Sequence, residues 1–127
     1  QQGHACTLNV TEVNFGSYDV FSNTALDSTG NIDVNCPSGI GYSVALSAGG
    51  GTHTQRLMSS GANTLSYNLF TAANRAVVWG DSTRGTVTVK GTGIGVSINH
   101  GVYGRIPALQ NAHVGSYSDF ITVELTF

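Results

Sequence analysis

The sequence predicts an all-β sandwich, on three observations. Apolar residues recur with a period of two, and no stretch sustains the 3.6-residue period of a helix. Clusters of Gly, Ser, Asn and Asp punctuate these segments at short intervals. The composition agrees: 17 Gly, 2 Pro and only 9% charged residues in 127, against roughly 25% charged in an average soluble domain. The length fits one domain, residues 1–127, large enough to bury a core, and no repeat or linker divides it.

CTLNV (6–10) and VNF (13–15) are read as a broken first strand. NIDVNC (31–36) places Ile32, Val34 and Cys36 on one face, with Asp33 and Asn35 on the other. GYSVALS (41–47) does the same with Tyr42, Val44 and Leu46, and NTLSYNLFT (63–71) with Leu65, Tyr67 and Leu69. AVVWG (76–80), TVTVK (86–90), VSIN (96–99) and VYGRI (102–106) follow as further strands. DSTG (27–30), SAGGGT (47–52), SSGAN (59–63), GDSTRG (80–85) and GTGIG (91–95) are expected to be turns. The last seven residues, ITVELTF, alternate cleanly: Ile121, Val123, Leu125 and Phe127 face one way, Thr122, Glu124 and Thr126 the other. A strand this apolar needs a neighbour, because a bare sheet edge invites pairing with other chains.

The charge pattern argues against partners that bind through electrostatics. The net charge is −2, and Arg56, Arg75, Arg84, Lys90 and Arg105 are scattered singly. Nothing here grips nucleic acid or an anionic membrane. No apolar run reaches the length of about 18 residues that a transmembrane helix needs. QQGHACTLNV has neither the basic start nor the apolar core of a signal peptide, so the sequence is read as a mature form whose leader has been removed. Cys6 and Cys36 are the whole thiol inventory. They are too few for a zinc site and lack redox C-x-x-C spacing. In an exported protein they would form a disulfide; in a cytosolic one, two buried free thiols.

Candidate chemistry is sparse. His4, His53, His100 and His113 are far apart in sequence and are expected in solvated loops. Glu12, Asp19, Asp27, Asp33, Asp81, Asp119 and Glu124 mostly sit beside Ser, Gly or Asn, as turn-capping acids do. No Ser occupies a G-x-S-x-G elbow. GTGIGVS (91–97) fails as a dinucleotide fingerprint, because Val96 stands where the third glycine belongs and no helix follows. Trp79 is read as core rather than as a binding aromatic, and the NVT triplet at 9–11 as a chance sequon. The sequence therefore nominates no catalytic residue, no cofactor-binding residue and no metal ligand.

One stretch carries a family likeness. VNFGSYDVFSNTALDSTGNIDVNC (13–36) resembles the opening of the spore coat protein U domain, shared by secreted coat-like proteins and by subunits of archaic chaperone–usher pili. YSVALSAGG (42–50), LSYNLFT (65–71), VVWGD (77–81), VYGRIPALQ (102–110) and VGSYSDFITVELTF (114–127) match it in order. The resemblance covers nearly the whole chain.

That likeness implies an immunoglobulin-like Greek-key sandwich lacking its last strand. It implies completion by donor-strand complementation, first by a periplasmic chaperone and then, at an outer-membrane usher, by a neighbouring subunit. Ile121, Val123, Leu125 and Phe127 would line the acceptor groove, and Cys6 and Cys36 would form the family's disulfide. The function so implied is a non-enzymatic subunit or tip domain of a surface pilus, exported through the periplasm and serving adhesion and biofilm formation. Neither nucleic acid nor membrane insertion is part of it. QQGHA, ahead of Cys6, spans at most about 18 Å and has no apolar alternation, so the chain is expected to accept a strand without donating one. A tip domain, a pilin with its arm removed and a coat protein all fit that expectation. A surface- or sugar-binding tip would use SAGGGTH (47–53), GDSTRG (80–85) or GTGIG (91–95).

Overall fold

Alternation along the strands builds two antiparallel sheets that face each other. The computed structural model of the chain describes residues 6–13, 15, 18, 21, 23–110 and 117–127. The strands are β1 (Thr7–Thr11), β2 (Leu26–Asn35), β3 (Gly41–Leu46), β4 (Arg56–Ser60), β5 (Asn63–Phe70), β6 (Val89–Thr92), β7 (Ile98–Ile106) and β8 (Val123–Thr126). One sheet has the order β1-β2-β7-β5-β4 and the other β6-β3-β8. No helix occurs among the described residues, so none there is long and apolar enough to cross a membrane. The fold is the all-β sandwich the sequence predicts.

The core lies between the sheets. Ile32, Val34, Val44, Leu46, Leu65 and Ile106 are fully buried, and Trp79 sits among them with Nε1–H donating to the Val44 carbonyl at 3.0 Å. Trp79 is therefore core, as expected. The Cys6–Cys36 disulfide ties the start of β1 to the end of β2.

Several boundaries differ from the sequence reading. DSTG (27–30) is not a turn; it lies inside β2, where Asp27–Gly30 pair with Arg105–Val102 of β7. The second half of VSIN, Ile98 and Asn99, runs on into VYGRI as one strand, since Asn99, His100 and Gly101 continue the ladder against β2, while Val96 and Ser97 lie outside it. AVVWG is not a strand but joins its neighbours through the isolated bridges Phe70↔Val78 and Trp79↔Val87. RLMSS, whose last two residues were expected in the SSGAN turn, is β4, which pairs with β5 through a turn in which Gly61 has φ 61°. His100 lies on β7 rather than in a loop, with Nε2 2.6 Å from the Tyr42 hydroxyl across the sandwich. Asp27 caps no turn; Arg105 Nε and Nη2 donate to its carboxylate at 2.8 and 3.0 Å. That bond, more than the charges of Arg75 and Arg105, holds the Asp27 carboxyl below the usual range. His4, Asp19 and His113 lie outside the described residues.

An apolar cleft between two sheet edges

The sandwich is open along one side. β1 is the last strand of its sheet and β8 the last of the other, so each offers an edge that no named strand pairs. β1 runs antiparallel to β2 and β8 antiparallel to β3. A cleft of about 560 Å³ runs between these edges. Val10, Thr11, Glu12, Val13 and Phe15 form one wall, and residues 117–121 with Val123 form the other. The floor is Ile32, Leu46, Met58, Tyr67, Leu69 and Val102.

Two glycines bed the first wall. After β1 the chain passes so close to β2 and β7 that a Cβ on Gly30 would stand 2.5 Å from the Thr11 carbonyl oxygen. One on Gly104 would stand 2.6 Å from the Phe15 ring. Phe15 then meets Tyr67 edge-on, ring centroids 6.2 Å apart. The second wall crosses from one sheet to the other. Ser118 exchanges backbone hydrogen bonds with Ser59 of β4, whereas Thr122, its carbonyl accepting from the Ser47 N–H and its own N–H donating to Ser47 Oγ, is tied to the residue just beyond β3. Between them the Asp119 carboxylate accepts from the Gly50 N–H at 3.0 Å and from the Tyr67 hydroxyl at 2.6 Å. Burial, and then that carboxylate, keep the Tyr67 hydroxyl protonated far above the usual phenol range.

The core faces of both edges are left partly wet. Val10 sits opposite Ile32 in the β1–β2 ladder, so both point toward the interior. Ile32 is 1% exposed and Val10 45%. Ile121 and Val123 line the cleft, only half-buried, and Phe120 at its mouth is 92% exposed. Leu125 packs on the core opposite Val44, outside the cleft lining, and Phe127 lies past the end of β8, 58% exposed. Two of the four residues nominated from the terminal strand thus meet at the cleft. The facing wall was missed. Its alternation at Leu8 and Val10, then Val13 and Phe15, was legible, but not that it would stand across from β8.

Chemically the cleft suits an extended apolar segment. Among the described residues it is bordered by the end strands of two sheets and has an apolar floor and the acids Glu12 and Asp119, with no Lys or Arg in the lining. Among the described residues no group of three or more His, Cys, Asp or Glu could hold a metal. His53, half-buried, has Nε2 3.8 Å from Asp81 as its ionic neighbour.

Comparison with known proteins agrees with this architecture. A family model described as the Spore Coat Protein U domain matches residues 1–124. Protein U of Myxococcus xanthus is 32% identical over a 143-residue alignment covering 98% of this chain and 79% of that protein. Among solved structures, a chain of the CsuC–CsuE chaperone–tip adhesion subunit pre-assembly complex, from the archaic chaperone–usher Csu pili of Acinetobacter baumannii, superposes with a TM-score of 0.70 at 23% identity. That match covers 97% of this chain and 39% of the solved one, and at such identity it speaks for the fold, the immunoglobulin-like sandwich expected from the resemblance. By its family match and its likeness to Protein U, this chain belongs to the Spore Coat Protein U domain family.

Proposed function

We propose that the chain is a structural subunit or tip domain of an archaic chaperone–usher pilus, and that the cleft between β1 and β8 accepts a strand from another polypeptide. A periplasmic chaperone fills it first, and a neighbouring subunit replaces the chaperone at the outer-membrane usher. The finished fibre stands on the cell surface and serves adhesion and biofilm formation. The carrying observation is Val10: a residue on the core face of a ladder, opposite a fully buried Ile32, yet 45% exposed. A strand laid beside β8 would cover it together with Ile121 and Val123, each such burial contributing about 1.5–3 kcal/mol. Main-chain pairing would supply the affinity, and pockets for alternate side chains the register.

The test is binding of a synthetic peptide of about ten residues alternating Val and Thr, with a Lys at each end. The unmodified chain binds it and gains thermal stability. Val10→Asp, a change at an already exposed position, abolishes both effects while the free chain keeps its fold. Undiminished binding by Val10→Asp would sink the proposal.

A second reading has its own support. The family is named for a spore coat, and Protein U is similar to this chain along nearly its whole length. On that reading the same cleft joins copies of the chain in an outer layer without an usher. A chaperone and an usher encoded beside the gene favour the pilus; their absence favours the coat.

A further inference from the structure

The cleft wall formed by residues 117–123 is attached at three points, and one attachment leads into the interior. Ser118 is bonded to Ser59, and Asp119 to Gly50 and Tyr67. Thr122 donates its N–H to Ser47 Oγ at 2.8 Å and accepts from the Ser47 N–H at 3.0 Å. Thr122 separates Ile121 from Val123, the two aliphatic residues of this wall at the cleft. Whatever fixes Ser47 therefore fixes their aim.

Ser47 is fixed by a buried cation. Arg56, on β4, is 0% exposed. Its Nε and Nη2 both donate to the Ser47 carbonyl oxygen, at 3.0 and 2.9 Å. Nη2 also donates to the Trp79 carbonyl at 2.7 Å, and Nη1 to Asn68 Oδ1 at 2.6 Å. These acceptors are neutral. Burying a guanidinium without a carboxylate is costly, and an apolar side chain of similar volume would fill the same space without that cost. The planar fork provides what an apolar residue cannot, a fixed angle between the Ser47, Trp79 and Asn68 segments.

We infer that Arg56 is a positioning residue for strand capture: its fork locks Ser47, and through Ser47 it holds Thr122 so that Ile121 and Val123 stay aimed at the cleft. The inference rests on the strand-accepting reading given above. It separates Arg56 from the residues a strand would touch, because Arg56 is outside the cleft lining.

Arg56→Lys keeps the charge but loses the fork, and Ser47→Ala removes the hydroxyl that receives the Thr122 N–H. Hydrogen exchange in the free chain is the primary readout. In both variants exchange at the Thr122 amide accelerates about tenfold, as loss of a hydrogen bond from a charged donor or its relay implies, while Ile32 and Val34 in the β1–β2 ladder are unchanged. The Val–Thr peptide then leaves about tenfold faster, with its association rate preserved. Uniform acceleration at Thr122, Ile32 and Val34 in Arg56→Lys would mean a merely structural arginine and would overturn the inference. So would unchanged exchange at Thr122 in that variant. If Arg56→Lys does not fold, the unmodified chain decides: its Arg56 Nε–H proton resonance shifts when the peptide fills the cleft, and a resonance that stays in place overturns the inference. An unmodified chain that binds no peptide would instead refute the strand-accepting reading, since the Thr122 exchange needs no peptide.

Discussion

His100 shows how a residue that looks unremarkable in sequence acquires a role from its partner. It faces the interior opposite fully buried Ile32 and meets the Tyr42 hydroxyl at 2.6 Å, ring centroids 5.7 Å apart. With the ring proton on Nδ1, the hydroxyl donates to Nε2; protonation makes Nε2 a donor and breaks that arrangement. Burial lowers the His100 pKa, partly opposed by the Asp33 carboxylate. The unfolded chain therefore takes up this proton more readily than the folded one. Stability from this group is complete above an ordinary histidine value of about 6.5, and it is lost as pH falls through that value and then through the lower folded one. Denaturant titrations from neutral pH to pH of about 5 should show this decline, and His100→Gln should flatten it. The drop is modest, because the ring is only half-buried and solvent screens it. A decline as steep in His100→Gln would assign the effect to another group. Arg56 taught the same lesson differently. In sequence it is one of five isolated cations; only the chain's path around it makes it the most buried charge described.

At the level of strands, legibility followed burial. β3 and β5 were readable because Tyr42, Val44 and Leu46, like Leu65, Tyr67 and Leu69, recur as buried apolar residues at every second position, although Asn68 is buried as well. β4 was not, because its inward residues are Arg56 and Met58, and a charge at the head of RLMSS hides the period. DSTG was misread because Gly and Asp signal a turn locally. Here Gly30 serves a close approach by Thr11 and Val13, and Asp27 serves an ion pair with Arg105, both set by distant chain. β1 is the strand most exposed to loss, lying at a sheet edge with the disulfide at its start. Replacing Cys6 and Cys36 together by Ala should cost about 3–4 kcal/mol on the chain-entropy estimate. Calorimetry would read that as a lower Tm, and hydrogen exchange would place the loosening first in Thr7–Thr11. An unchanged Tm would show that the bridge restrains nothing the ladder does not already hold.

For the molecule as a whole, the two sheets share one core, and among the described residues a cleft separates the edges of β1 and β8. Half of that opening could be read from ITVELTF, since alternation names the apolar face of a strand. The other half could not, because which edge stands across from β8 depends on the order of strands in two sheets, and no local pattern encodes that order. Hence Ile121 and Val123, nominated from alternation, line the cleft, while Val10, Val13 and Phe15, which also line it, were read only as strand residues. On the strand-accepting proposal, the core of such a domain would be finished by another polypeptide, and folding and assembly would be linked. A crystal structure of the chain with the Val–Thr peptide would decide this. The expected result is a peptide strand hydrogen-bonded along the free edge of β8, its valines over Ile32, Leu46 and Leu69 and its bulk covering Val10. A peptide bound elsewhere, or β1 and β8 paired directly to each other across a closed cleft, would contradict it.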